Sequence, residues 1–218
     1  MWWLDAVNCL QWGLFMIEEA PVVDLGFVAA RVPHGSHICQ VYGTDSERDL
    51  ALLRFVARGL AAGEATACFS DVFDTGECAP WFSNEGISLE AERQGGRFFS
   101  SGAEAMYFKD GYFDPERMYS AIIDFHNHSV ATGCTGARLI GEMSPAITQI
   151  EGGSRLFEYE ARVNWVLLDH PVTAVCQYDA RAFSGATIME VLSVHPMMVV
   201  RGSVVRNPFY VSPEEYLS

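Results

Sequence analysis

The feature that most constrains this chain is one unit between residues 37 and 69, where a short apolar run, a helical stripe and a second apolar run follow one another. His-Ile-Cys-Gln-Val-Tyr, residues 37–42, has the length and composition of a strand, and Gly43 ends it. Thr44-Asp-Ser-Glu47 is a capping box: the Thr44 hydroxyl accepts from the Glu47 amide while the Glu47 carboxylate reaches back. Leu50, Leu53, Ala57 and Leu60 then recur at helical spacing, Leu52 and Val56 widen that face, and Gly63 is the stop. The chain returns at once to the apolar run 65–69. Two strands joined by a helix of this length lie parallel in one sheet, because a hairpin turn cannot connect them in that sense.

The same alternation continues downstream. Asp114-Pro115 is an N-cap followed by proline at the first helical position, and Met118, Ile122, Phe125 and Ser129 share a stripe that Gly133 and Gly136 break. Residues 137–140 read as a strand, Ser144-Pro145 as the opening of a short helix, and Leu156, Tyr159, Val163 and Val166 as one face of a longer one. Residues 172–178 make the next strand, 183–194 a further helix, and the Asn207-Pro-Phe-Tyr210 run a docking strand or turn. Strands that are nearly all apolar belong to a sheet covered twice, so the expected fold is α/β, a mostly parallel central sheet with helices on both faces. Strand order is not legible from this pattern.

Composition narrows the partners. Fourteen basic residues against 28 acidic ones leave a net charge of −14, a field that repels phosphate backbones and anionic membranes. No direct nucleic-acid contact and no membrane partner are expected. The six cysteines are scattered and form no C-x-x-C pair, as suits reduced thiols in a cytoplasmic protein. Residues 1–20 are apolar but carry Asp5, Glu18 and Glu19 and no basic n-region, unlike a signal peptide. Residues 1–32 are taken as an N-terminal extension, expected to be helical, and 33–218 as one domain.

From about Pro33 onward the sequence resembles the MEDS-type sensory domain of dichloromethane-repressor-like regulators. The resemblance is carried by Gly35-Ser-His37-Ile-Cys39-Gln-Val-Tyr42, by Phe55 to Glu64 with Gly59 and Gly63, and by Tyr112-Phe-Asp114. It continues through Arg138-Leu-Ile-Gly-Glu142-Met, Tyr159-Glu160-x-x-x-Asn164, Cys176-Gln-Tyr178-Asp and His195-Pro. What it implies is a RecA/KaiC-like core without a working P-loop that recognises a simple hydrocarbon derivative and signals to a regulatory partner such as a kinase or transcription factor. A homodimer is compatible with it.

The residues themselves support several chemistries. His37 and Cys39, two apart on one strand, project from one face, and with Cys176 and His195 they can converge as a two-Cys, two-His set for a metal, haem or redox centre; the plain alternative is buried thiols and a histidine bonded to a carbonyl. Arg138 in an apolar strand needs a partner, expected to be Glu142 or Glu160, and serves either as a clamp or as a polar anchor for a ligand. Tyr42 and Tyr178, with Trp81, Phe82, Tyr107 and Phe108, can wall an apolar pocket or simply fill the core. The ligand-binding set is therefore His37, Cys39, Tyr42, Arg138, Glu142, Cys176, Tyr178 and His195, with no catalytic residue assigned.

A degenerate RecA-like ATPase is the enzyme alternative. Hydrolysis needs a glycine-rich loop of amides and a lysine, whereas Tyr42-Gly-Thr-Asp45-Ser-Glu47-Arg-Asp49 offers three carboxylates, and the chain has a single lysine, Lys109. Calorimetry with Mg-ATP is expected to show no binding; micromolar binding would restore the ATPase alternative.

Overall fold

The computed structural model describes residues 21–73, 76–143 and 149–218. Residues 1–20 and the short helix expected at Ser144-Pro145 fall outside the described residues. The described part of the extension is not helical. Val22–Asp24 (β1) pairs antiparallel with Arg31–Pro33 (β2), and Gly26 turns between them at φ +80°, where a Cβ would meet the Arg54 carbonyl oxygen at 2.6 Å. Val23, Leu25 and Val32 pin this hairpin to the core, so β-branched residues and burial outweigh helical propensity here.

The central sheet begins with His37–Tyr42 (β3), which is followed by Asp45–Ala61 (α1) and Ala65–Phe69 (β4). The Thr44 hydroxyl accepts the Glu47 amide at 3.2 Å, while the Glu47 carboxylate takes the Gly43 amide at 3.0 Å, one residue ahead of the cap. The buried face of α1 is Leu52, Phe55, Val56 and Leu60; Leu50, expected inside, is 45% exposed. That series spans the four positions of one helical face, and Leu50 lies off it.

Ala79–Asn84 (α2) and Leu89–Gln94 (α3) lead to Phe98–Ser101 (β5), then Ala103–Tyr107 (α4) and Pro115–Ala131 (α5). Ala137–Met143 (β6), Leu156–Asp169 (α6), Thr173–Asp179 (β7) and Gly185–Val194 (α7) follow. Met197–Val200 (β8), Ser203–Arg206 (β9) and Pro213–Tyr216 (α8) complete the described chain. The strand order is β5-β4-β6-β7-β3-β8-β9, parallel except for the last pair.

From β3 the chain crosses β7 and β6 to reach β4, and from β7 it crosses β3 in the opposite direction to reach β8. Right-handed crossovers running in opposite directions must cover opposite faces. Accordingly α1, with the β1–β2 hairpin, α2 and α3, packs on Ile38, Cys68, Ile140 and Val175. The other face carries α4, α5, α6 and α7 over Cys39, Leu139, Ala174 and Cys176.

Arg138 corrects one expectation. It pairs with neither Glu142 nor Glu160: four residues along a strand is about 13 Å, too far for a side-chain pair, and Glu160 lies on the other face. Its guanidinium instead binds Glu64 at the start of the adjacent strand and donates to the carbonyls of Asp24 (3.0 Å) and Phe55 (3.2 Å). Gly59 makes this fit, since a Cβ there would stand 2.6 Å from the Arg138 Cδ. Arg138 is therefore a clamp between α1, the hairpin and the sheet. In urea unfolding, Arg138→Met is expected to cost about 3–5 kcal/mol because it strands a carboxylate, and adding Glu64→Leu should recover most of that. Equal losses in the single and double variants would show that packing, not charge, dominates.

Candidate functional site

The eight expected site residues divide between the two faces. On the α1 face, Tyr42 and Glu142 meet at the carboxyl ends of β3 and β6, where the Tyr42 hydroxyl donates to Glu142 Oε1 at 3.1 Å. Arg48 Nη1 reaches the same oxygen at 3.0 Å and the Ser70 hydroxyl donates to Oε2 at 2.9 Å. Burial and the Glu142 charge push the Tyr42 phenol upward. This edge contains the topological switch between β7 and β3, where sheets of this kind bind ligands. Here the groups that face it are already committed to one another: Glu47 holds the Gly43 amide and Asp45 bonds Arg181 at 2.5 Å. No described lysine or glycine-rich loop stands there to cradle phosphate.

The α6–α7 face holds a different constellation. His37 opens β3, Cys176 lies within β7 beside Cys39 in register, Glu160 comes from α6, and His195 follows α7. His37 Nε2 is 3.3 Å from Glu160 Oε2 and 3.5 Å from Cys176 Sγ; Cys176 Sγ is 3.8 Å and His195 Nε2 3.7 Å from the same carboxylate oxygen. All four side chains are buried, Glu160 at 1% and His195 at 0% exposure. The Tyr178 hydroxyl donates to Glu160 Oε1 at 2.8 Å.

Electrostatics follow from this enclosure. Burial raises the Glu160 carboxyl, but the His37 contact and the two imidazoles beside it outweigh that and leave it below the ordinary glutamate value. Burial, reinforced by His37, drives His195 down to about 3, so its ring is neutral. Burial and the Glu160 charge hold the Cys176 thiol well above its usual range.

Beside this cluster is a narrow cavity of about 30 Å³ between the sheet, α4, α5 and α6. Met106, Tyr107, Met118, Ile122, Phe125 and Val163 give it apolar walls, and Glu160 and Cys176 form its polar end. Gly141 clears the approach of Tyr107, whose hydroxyl would lie 2.5 Å from any Cβ there.

His37, Cys176, Tyr178 and His195 are therefore brought together, and Cys39 is beside them but turned away, its thiol donating to the Met197 carbonyl at 3.7 Å. Tyr42 and Glu142 form a separate group, and Arg138 joins neither. Of the aromatics, Tyr107 lines the cavity and Tyr178 the cluster, while Phe82 and Trp81 belong to the opposite core. Glu160 takes the place assigned to Cys39. Its helix partner Asn164, four residues on, accepts from His37 Nδ1 at 3.2 Å, and Asn207 anchors the turn after α7 by donating to the carbonyls of Leu192 (2.6 Å) and His195 (2.8 Å). Cys39, Cys78, Cys134 and Cys176 are free thiols; Cys9 lies outside the described residues. Removing the hydroxyl in Tyr178→Phe should cost about 1.5–3 kcal/mol in urea unfolding, the range for a hydrogen bond to a buried charge. A loss near zero would mean that Glu160 is not ionised.

Comparison with known proteins bears on this arrangement. The family model described as MEthanogen/methylotroph, DcmR Sensory domain (MEDS) matches residues 36–196. The transcriptional repressor DcmR of Methylorubrum extorquens is 24% identical over 172 residues, which is 75% of this chain and 59% of the relative, so the chain spans under two thirds of that protein's length. Among solved structures, a KaiC-like protein from Pyrococcus horikoshii OT3 superposes with a TM-score of 0.58 at 15% identity, covering 82% of this chain and 79% of the other. The flagellar accessory protein FlaH from Methanocaldococcus jannaschii gives 0.61 at 11% identity, covering 85% and 84%. These likenesses establish a KaiC-like, RecA-like α/β fold, and the match across most of the sequence places the chain in the MEDS family of sensory domains.

Proposed function

We propose that this domain binds a small, mostly apolar molecule in the cytoplasm and passes its occupancy to a regulatory protein, a kinase or a transcription factor, acting by binding and not by catalysis. The observation that carries this reading is the cavity against α5 and α6, with apolar walls and a polar end formed by Glu160 and Cys176. A molecule with a short hydrocarbon body and one polar or halogen substituent matches that division. Apolar burial contributes about 25 cal/mol per Å², so roughly 100 Å² gives about 2.5 kcal/mol, and selectivity must come from the preformed shape and the polar end. The repressor relative supports a regulatory output, and the acidic charge favours reaching DNA through a partner.

The same cavity explains how binding becomes a signal. It lies under α5 and α6, and α6 also carries the buried Glu160, so a molecule that enlarges the cavity displaces helices tied to the cluster. A thermal-shift screen of short alcohols, halomethanes, methylamines and small aromatics should yield at least one stabilising class. Ala121→Leu, which fills the cavity from α5, should abolish that stabilisation while leaving the unliganded protein folded. A screen with no stabilising compound, or stabilisation unchanged by Ala121→Leu, overturns the assignment.

A further inference from the structure

The hydrogen bonds on the outer sides of the cluster dictate what lies at its centre. Asn164 Nδ2 donates to the carbonyls of Glu160 (3.3 Å), Ala161 (3.0 Å) and Val194 (2.9 Å), which fixes its amide and turns Oδ1 toward His37 as an acceptor. His37 therefore carries a proton on Nδ1. His195 Nδ1 donates to the Val191 carbonyl at 2.7 Å, and its Nε2 is buried without a hydrogen-bond partner among the described residues. With the outer nitrogens occupied in this way, Nε2 of each ring faces inward and is the atom available to a cation. Two imidazole nitrogens and a carboxylate oxygen thus converge with a sulfur that has one proton to give. Such a group needs a positive charge among its atoms, either a proton shared between His37 Nε2 and Glu160 or a metal ion held by all four.

We propose that His37 Nε2, Glu160 Oε2, Cys176 Sγ and His195 Nε2 are the four ligands of a buried divalent transition-metal site, zinc or a metal of similar preference. The four atoms all lie within 4.8 Å of one another, and the contacts that link His37, Glu160, Cys176 and His195 run from 3.3 to 3.8 Å. Bonds of about 2.0–2.3 Å to a tetrahedral zinc set ligand atoms about 3.3–3.6 Å apart, so small adjustments close the site. Two nitrogens, a thiolate and a carboxylate select such a metal over calcium or magnesium, which prefer oxygen. A thiolate and a carboxylate neutralise a divalent ion, leaving no net charge buried. Binding expels the Cys176 proton to solvent, so affinity rises with pH.

Three of the four ligands are also held from behind, His37 by Asn164, His195 by the Val191 carbonyl and Glu160 by the Tyr178 hydroxyl, the kind of outer support that orients metal ligands. His37 and Asn164 line a surface groove bounded by Trp165, Pro196 and Tyr210, the side on which the cluster lies nearest solvent. The inference does not rest on the small-molecule reading, although Glu160 and Cys176 also form the polar end of the cavity.

The test is titration of the reduced, chelator-treated full chain with Co²⁺ alone, followed by competition with Zn²⁺. One Co²⁺ per chain is expected, with the visible bands of a tetrahedral site and a thiolate charge-transfer band, both lost on adding Zn²⁺. Cys176→Ser should remove the charge-transfer band, Cys39→Ser should leave it unchanged, and Asn164→Leu should weaken binding about 10- to 100-fold by releasing the His37 tautomer. Should Cys176→Ser prove unfolded by circular dichroism, His195→Gln serves as the second variant, keeping the thiol but losing at least as much affinity as Asn164→Leu. A wild-type protein that takes up no stoichiometric Co²⁺, or a thiolate band that survives Cys176→Ser or vanishes in Cys39→Ser, overturns the site.

Discussion

A carboxylate with 1% of its surface exposed cannot be left without compensation, and Glu160 on α6 is such a group. Much of the α6–α7 face is arranged to answer it. The Tyr178 hydroxyl meets one oxygen, while the two histidines and the Cys176 thiol surround the other. These partners arrive from β3, β7 and the turn after α7, so satisfying one side chain draws together elements far apart in sequence. The apolar cavity lies directly beside it, with Glu160 and Cys176 at its polar end.

The sheet separates two chemistries that one strand supplies. Successive residues of β3 face opposite ways, so His37 and Cys39 look toward α6 and α7 while Tyr42 looks toward α1. At the carboxyl edge on the α1 side, carboxylates are bound to arginines and a tyrosine. The opposite face holds the buried cluster and the cavity. The candidate site thus lies on the face of the sheet away from α1.

Local pattern made the class of fold legible, because capping boxes, glycine stops and apolar runs act within a few residues of one another. The unit from His37 to Phe69 and the opening of α5 at Asp114-Pro115 follow that logic. Strand order and pairing were not legible, since they depend on contacts between distant segments. Arg138 shows the limit: its need for a partner could be read from an apolar strand, but its choice of Glu64 depends on β4 lying beside β6. Cys39 and Glu160 show the same. Parity along the strand put Cys39 on the correct face, but only the packing of α6 decided that a glutamate and not this thiol would complete the group. The residues 159–164 already held the clue, as Glu160 and Asn164 lie one helical turn apart and so on one side of α6.

Asn207 gives the chain's last segment a mechanical meaning. Through one amide it grips the carbonyls of Leu192 and His195, and its oxygen caps the Phe209 amide at 3.0 Å, fastening the turn after β9 to the end of α7. The imidazole of His195 and the β8–β9 hairpin are consequently two ends of a single short lever. A displacement of the His195 backbone must therefore break these bonds or carry the segment after β9 with it.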